Sequence, residues 1–125
     1  MVQMTDVNAG FPRAARLLTP AAFRLVFAGG TRVADQNLTL LARTSETGHP
    51  RIGLAIAKRK VPRAVDRNRI KRAVRESFRL RAAQLPALDI VVMAKPDASK
   101  LEAAALTTAL DRLWSRLTRR CAGSS

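Results

Sequence analysis

Apolar residues recur along the chain with two different periods, and each change of period marks an element. In TPAAFRLVFAGG, residues 19 to 30, a threonine and a proline precede an apolar run and two glycines follow it, which predicts a helix between them. Three β-rich runs come next: a short one around Thr31 to Ala34, then Leu38 to Arg43, then Ile52 to Ala57. The turn residues SETGHP, 45 to 50, separate the last two. Pro62 cannot continue a central strand. Asp66 reads as a cap or a first-turn acid for a long helix from about Ala64 to Ala83, which Pro86 stops. DIVVMA, residues 89 to 94, supplies a fourth strand that Pro96 closes. Ser99 is expected to cap a last helix, in which Leu106, Leu110, Leu113, Trp114 and Leu117 recur at helical spacing. The order αβββαβα predicts a two-layer α+β domain.

The third strand alternates in size rather than in polarity. Ile52, Leu54 and Ile56 share one face, while Gly53, Ala55 and Ala57 share the other. The large face must meet the helical core. The small face has two readings: an open floor that a chain of nucleotides can approach closely, or the seat of a packed helix.

Composition bounds the architecture. A chain of 125 residues forms one core more readily than two, and with Cys121 as its only cysteine it has no intrachain disulfide, in keeping with a reducing compartment. The N-terminus lacks a signal-peptide core, and no stretch of about 18 apolar residues occurs. The expectation is a soluble cytoplasmic protein with a flexible leader over 1–10, a single domain over 11–119 and a flexible tail over 120–125.

Charge changes the picture most. The formal net charge is +14, and residues 51 to 81 hold twelve of the 23 cations against two acids. That segment also contains Ile52, Leu54, Val61, Ile70, Val74 and Phe78, so the charge is mounted on folded structure rather than on a tail. Within it RNRIKRAVRESF, residues 67 to 78, places Arg67, Lys71 and Arg75, followed by Arg79, in one i, i+4 row with Arg72 beside it. Ile70, Ala73, Val74, Ser77 and Phe78 form the opposite stripe. Like charges stacked at i, i+4 destabilise a helix, so an acid-free row points to a polyanion partner. The predominance of arginine suits planar, bidentate contacts to phosphate. The apolar stripe is narrow and needed by the core, which argues against a membrane surface. The run KRKVPR, residues 58 to 63, continues the cationic surface into the preceding loop.

RNRIKRAVRESF closely resembles the RNR signature of the bacterial ribonuclease P protein component. FPRAARLLTPAAFRLVF, GHPRIGLAIAKRK and LPALDIVVMAK extend the likeness over residues 11 to 117. The resemblance implies a left-handed crossover from the third strand through the basic helix to the fourth, a hand found in only about 2% of such connections. It also implies that the chain is the protein subunit of a ribozyme whose RNA cleaves through Mg²⁺, with no metal held by the protein alone. Its partners are then the catalytic RNA and the single-stranded 5′ leader of precursor tRNA, with neither a membrane nor another protein required. On that resemblance the basic helix is expected to dock on the catalytic RNA, through Arg67, Asn68, Arg69, Lys71, Arg72 and Arg75. Carried over by position, Phe23, Phe27, Thr39, Leu41 and Ala55 form the leader cleft, and Arg16, Lys58, Arg59 and Lys60 contact phosphates. Read from the residues alone, Phe23 and Phe27 at i, i+4 are core or a stacking wall, and Asn68 is a hydrogen-bonding group, a cap or a metal-site neighbour.

No protein catalytic constellation is visible. The only histidine, His49, sits in a turn before Pro50, and the nine acids show no metal-ligand spacing. The rival reading is a ribosomal or general RNA-structural protein with the same charge and size but no leader groove.

Overall fold

The computed structural model describes Arg16 and residues 19–123. In chain order the elements are α1 (Pro20–Gly29), β1 (Thr31–Ala34), β2 (Leu38–Thr44), β3 (Arg51–Ala55), α2 (Ala64–Arg81), β4 (Leu88–Ala94) and α3 (Ala103–Gly123). This is the expected αβββαβα order. The leader at 1–10 lies outside the described residues.

Local chemistry explains most boundaries. The Thr19 hydroxyl accepts the Ala22 N–H at 3.1 Å and Pro20 opens α1, as the sequence predicts. β3 stops at Ala55 rather than Ala57, because the Ala57 carbonyl accepts the N–H groups of both Lys60 and Val61 and turns the chain. α2 has Arg63 at its N-cap position with no side-chain cap, which makes Asp66 the first-turn acid. Ser99 does not cap α3. It lies inside a 3₁₀ turn, Pro96–Lys100, where its hydroxyl donates to the Pro96 carbonyl at 2.7 Å, and extended backbone at Leu101 separates that turn from α3. At the other end α3 runs to Gly123 rather than stopping near 119.

The sheet order is β1-β2-β4-β3, with β4 antiparallel to β2 and parallel to β3, so α2 is the crossover between the parallel pair. Ile52 and Leu54 join Leu38, Leu40, Ile90 and Val92 on the face that α2 and α3 cover. Between those helices Trp114 and Phe78 meet edge to face at 6.0 Å, and the buried Trp114 Nε1 donates to Ser77 Oγ at 2.8 Å.

On the opposite face α1 packs Phe23 and Val26 over Val91. Gly53 is what lets it settle there: a Cβ at that position would lie 2.3 Å from Phe23 Cζ. Of the two readings of the small face, the seat of a packed helix therefore holds at Gly53.

Polar groups finish the layer. Arg51 donates from Nε and one terminal nitrogen to the two carboxylate oxygens of Asp89, both at 2.8 Å. Asp89 is buried, so Asp89→Ala would leave a half-buried guanidinium without its fork partner. That variant should lose about 1.5–3 kcal/mol in urea unfolding. The sheet edges are also engaged. Arg16 makes an isolated parallel bridge to Ile52 of β3. On the far side Arg116 and Arg120 donate to the carbonyls of Ala34 and Arg32 in β1, at 2.9 and 3.0 Å.

Candidate nucleic-acid interface

The basic helix presents its charge differently from the row that the spacing suggests. Lys71 is 8% exposed, and the helical repeat explains why: it precedes Phe78 by one heptad, so the two differ by only about 20° around the axis. Arg67 points to the preceding loop, where one terminal nitrogen donates to the Val61 and Pro62 carbonyls at 3.0 and 2.7 Å. Arg69 pairs with Asp66 at 2.9 Å and also donates to the carbonyls of Leu101 and Ser99, tying α2 to the 3₁₀ turn. Arg75 is half-buried. Arg79 is exposed but pairs with Glu76, and its hydrogen bonds hold the Glu76 carboxyl below the usual carboxylate range. Of the six residues expected to dock RNA, Asn68 and Arg72 therefore form the outward face, with Arg75 on its shoulder.

The loop before α2 completes this surface. Lys58, Arg59 and Lys60 form an exposed turn, and Val61 beneath them is fully buried. The bonds from Arg67 and from the Ala57 carbonyl fix the loop backbone, so its cations project from a rigid knuckle. Exposed Arg63, in the run KRKVPR, stands where the knuckle meets the helix and adds a cation that the spacing within RNRIKRAVRESF does not include.

The expected cleft residues lie on the other face of the sheet. Gly53, Val91 and Leu41 occupy one row across β3, β4 and β2, and Ala55, Met93 and Thr39 occupy the next. Phe23 is 7% exposed and belongs to the small apolar cluster with Val26 and Val91, while Leu41, Ala55 and Met93 pack on that cluster half-buried. Thr39 is buried. Phe27, one turn further along α1, is 49% exposed. The aromatic pair thus divides its work: Phe23 anchors α1 and Phe27 offers a ring to solvent. The backbone of Arg16 borders this region through its bridge to β3.

Among the described residues, no group of three or more His, Cys, Asp or Glu could hold a metal ion. No helix among them is long and apolar enough to cross a membrane. A further cationic cluster went unnoticed in the sequence. Arg112, Arg116 and Arg119 share one face of α3 beside Arg81, but acids earlier in the C-terminal third masked them in the regional charge balance.

Comparison with known proteins agrees with both fold and motif. The family model "Ribonuclease P" matches residues 11–118. The ribonuclease P protein component of Methylococcus capsulatus is 54% identical over 116 residues, covering 93% of this chain and 91% of the relative. That of Salmonella typhimurium is 52% identical over 118 residues, covering 94% and 99%. Among solved structures, the RNase P protein of Staphylococcus aureus superposes with a TM-score of 0.77 at 27% identity, covering 85% of this chain and 99% of that one. The Thermotoga maritima RNase P protein superposes with a TM-score of 0.72, again at 27% identity, covering 81% and 96%. The basic helix on its sheet, the αβββαβα order and a family match across nearly the whole described chain lead to one conclusion: this chain belongs to the ribonuclease P protein family, the protein component of an endoribonuclease holoenzyme.

Proposed function

We propose that this chain binds the catalytic RNA of ribonuclease P through α2 and its preceding loop, and the 5′ leader of precursor tRNA through the α1 face of the sheet. In doing so it assists endonucleolytic removal of the leader in the cytoplasm and broadens the range of substrates cut. The observation that best supports this is the separation of two unlike surfaces by one sheet. Exposed Asn68, Arg72, Arg63 and the Lys58–Lys60 turn belong to the helical layer on one side, and Phe27 with the half-buried floor of Leu41 and Ala55 belongs to the other. A cationic rim suits a folded RNA backbone, and an aromatic beside a shallow apolar floor suits unpaired bases.

The chain's own residues contribute contacts and neutralisation rather than chemistry. Mg²⁺, in this reading, acts at the RNA active site; the described side chains form no cluster that would ligate it. Bringing the cationic surfaces between two polyanions lowers the repulsion that Mg²⁺ must otherwise screen. The test follows directly. Precursor tRNA is incubated with the protein, with the cognate catalytic RNA, and with both, over a Mg²⁺ series. Protein alone should leave the substrate intact, and protein with RNA should cleave at Mg²⁺ concentrations where RNA alone is slow. Cleavage by protein alone would overturn the reading, and an unchanged Mg²⁺ requirement would favour a purely structural RNA-binding protein.

Phe27→Ala probes the leader surface better than Phe23→Ala, because Phe23 also anchors α1 over Gly53. Loss of one base stack, about 1–3 kcal/mol, should weaken holoenzyme affinity for long-leader precursor roughly 5- to 150-fold while sparing mature tRNA. Equal losses for both ligands would remove Phe27 from the leader site.

A further inference from the structure

Where the C-terminal end of α2 meets α3, Arg81, Asp111, Arg112, Ser115, Arg116 and Arg119 line a groove of about 460 Å³. Its only acid is already engaged: Arg81 donates to Asp111 Oδ1 and to Ser115 Oγ, both at 3.3 Å. Arg81 Nε is buried and has no hydrogen-bond partner among the described residues. Arg112 and Arg119 are exposed and, among the described residues, form no ion pair. Four cationic residues thus line one groove with their single carboxylate spent, Arg116 while also donating to the Ala34 carbonyl of β1. All four are arginine, the side chain whose planar fork matches phosphate oxygens.

We propose that this groove is a second docking site for the catalytic RNA, taking a backbone segment distinct from the one that meets the Arg63–Arg72 surface. The inference rests on the function proposed above. Topology favours the catalytic RNA over the leader as the occupant. The groove lies on the helical layer, between α2 and α3, whereas the leader surface lies beneath α1 across the sheet. Along the axis of α2 the groove at Arg81 stands about 27 Å from Arg63 and about 13 Å from Arg72. It is on the opposite side of the helix from Arg72, so the two surfaces address different phosphates of an RNA fold. Two such anchors would fix the orientation of the protein on the RNA, where one would leave it free to rotate.

The test uses the reconstituted holoenzyme and the double variant Arg112→Gln, Arg119→Gln, which leaves the Arg81 and Arg116 hydrogen bonds in place. Two lost phosphate contacts should make the slope of log K against log salt shallower by about 1.4–1.8, and should weaken assembly about 25- to 60-fold at 0.1 M salt. The melting temperature of the free protein should stay unchanged. Unaltered assembly and slope, in parallel with a weakened Arg63→Ala, Arg72→Ala control, would overturn this inference and leave the proposed function standing. A loss confined to the affinity of preformed holoenzyme for precursor tRNA would also overturn it, by assigning the groove to substrate. As an independent readout, a cleavage reagent tethered at Arg112→Cys in a Cys121→Ser background should cut the catalytic RNA away from the sites cut from Asn68→Cys. Coincident cuts would refute a separate segment.

Discussion

The double variant Arg63→Ala, Arg72→Ala is expected to fold as the parent does and yet to assemble with the catalytic RNA about 25- to 60-fold more weakly at 0.1 M salt. Both side chains are exposed and neither forms an ion pair among the described residues, so their removal subtracts charge without unpicking the fold. The more obvious target, Arg67, would confuse the result. Its terminal nitrogen holds the carbonyls of Val61 and Pro62, and Arg67→Ala would loosen the knuckle that carries Lys58, Arg59 and Lys60. For the exposed pair, the slope of log K against log salt should become shallower by about 1.4–1.8, as expected for two lost phosphate contacts. Filter binding over a salt series measures both quantities. An unchanged slope would return Arg63 and Arg72 to an ordinary solvated surface.

Trp114→Ala should produce the largest loss of stability, about 3–5 kcal/mol, a large share of the 5–15 kcal/mol that a domain of this size typically has. Trp114 has no exposed surface, meets Phe78 edge to face and donates to Ser77 Oγ, so it joins α2 to α3 through both packing and a hydrogen bond. Trp114→Phe keeps most of the ring but leaves Ser77 without its indole donor, and about 1–3 kcal/mol should separate it from the parent. Urea unfolding of the three proteins checks the ranking. A loss below about 1 kcal/mol for Trp114→Ala would show that the α2–α3 seam is not where the core is held.

Most of the fold could be read in advance because strong local signals agreed with one another. Thr19-Pro20 and the glycine pair bracketed α1, and the 31–34 run became a strand with those bounds. Signals failed where two neighbouring elements competed for the same residues. Ser99 has the chemistry of a cap, but Pro96 starts its own 3₁₀ turn first and takes the hydroxyl. The candidate RNA surface was legible in kind and misread in direction. Spacing put Arg67, Lys71, Arg75 and Arg79 in one row, but it could not say which side of that row faces the core. The row turned out to border it, with Lys71 buried on the same side of the helix as Phe78. Partners distant in sequence were equally invisible: nothing in RNRIKRAVRESF announces that Arg69 will reach the carbonyls of Ser99 and Leu101.

The arginines of α3 that reach the sheet edge have a consequence for how the protein survives without its RNA. A short outer strand such as β1 offers unpaired carbonyls at which another chain can add a strand, the usual first step toward aggregation. Here Arg116 and Arg120 occupy the carbonyls of Ala34 and Arg32 and hold positive charge along that edge, and an approaching copy would carry the same charge. The cationic excess that draws in nucleic acid thus also keeps one subunit from extending the sheet of the next during the interval before assembly.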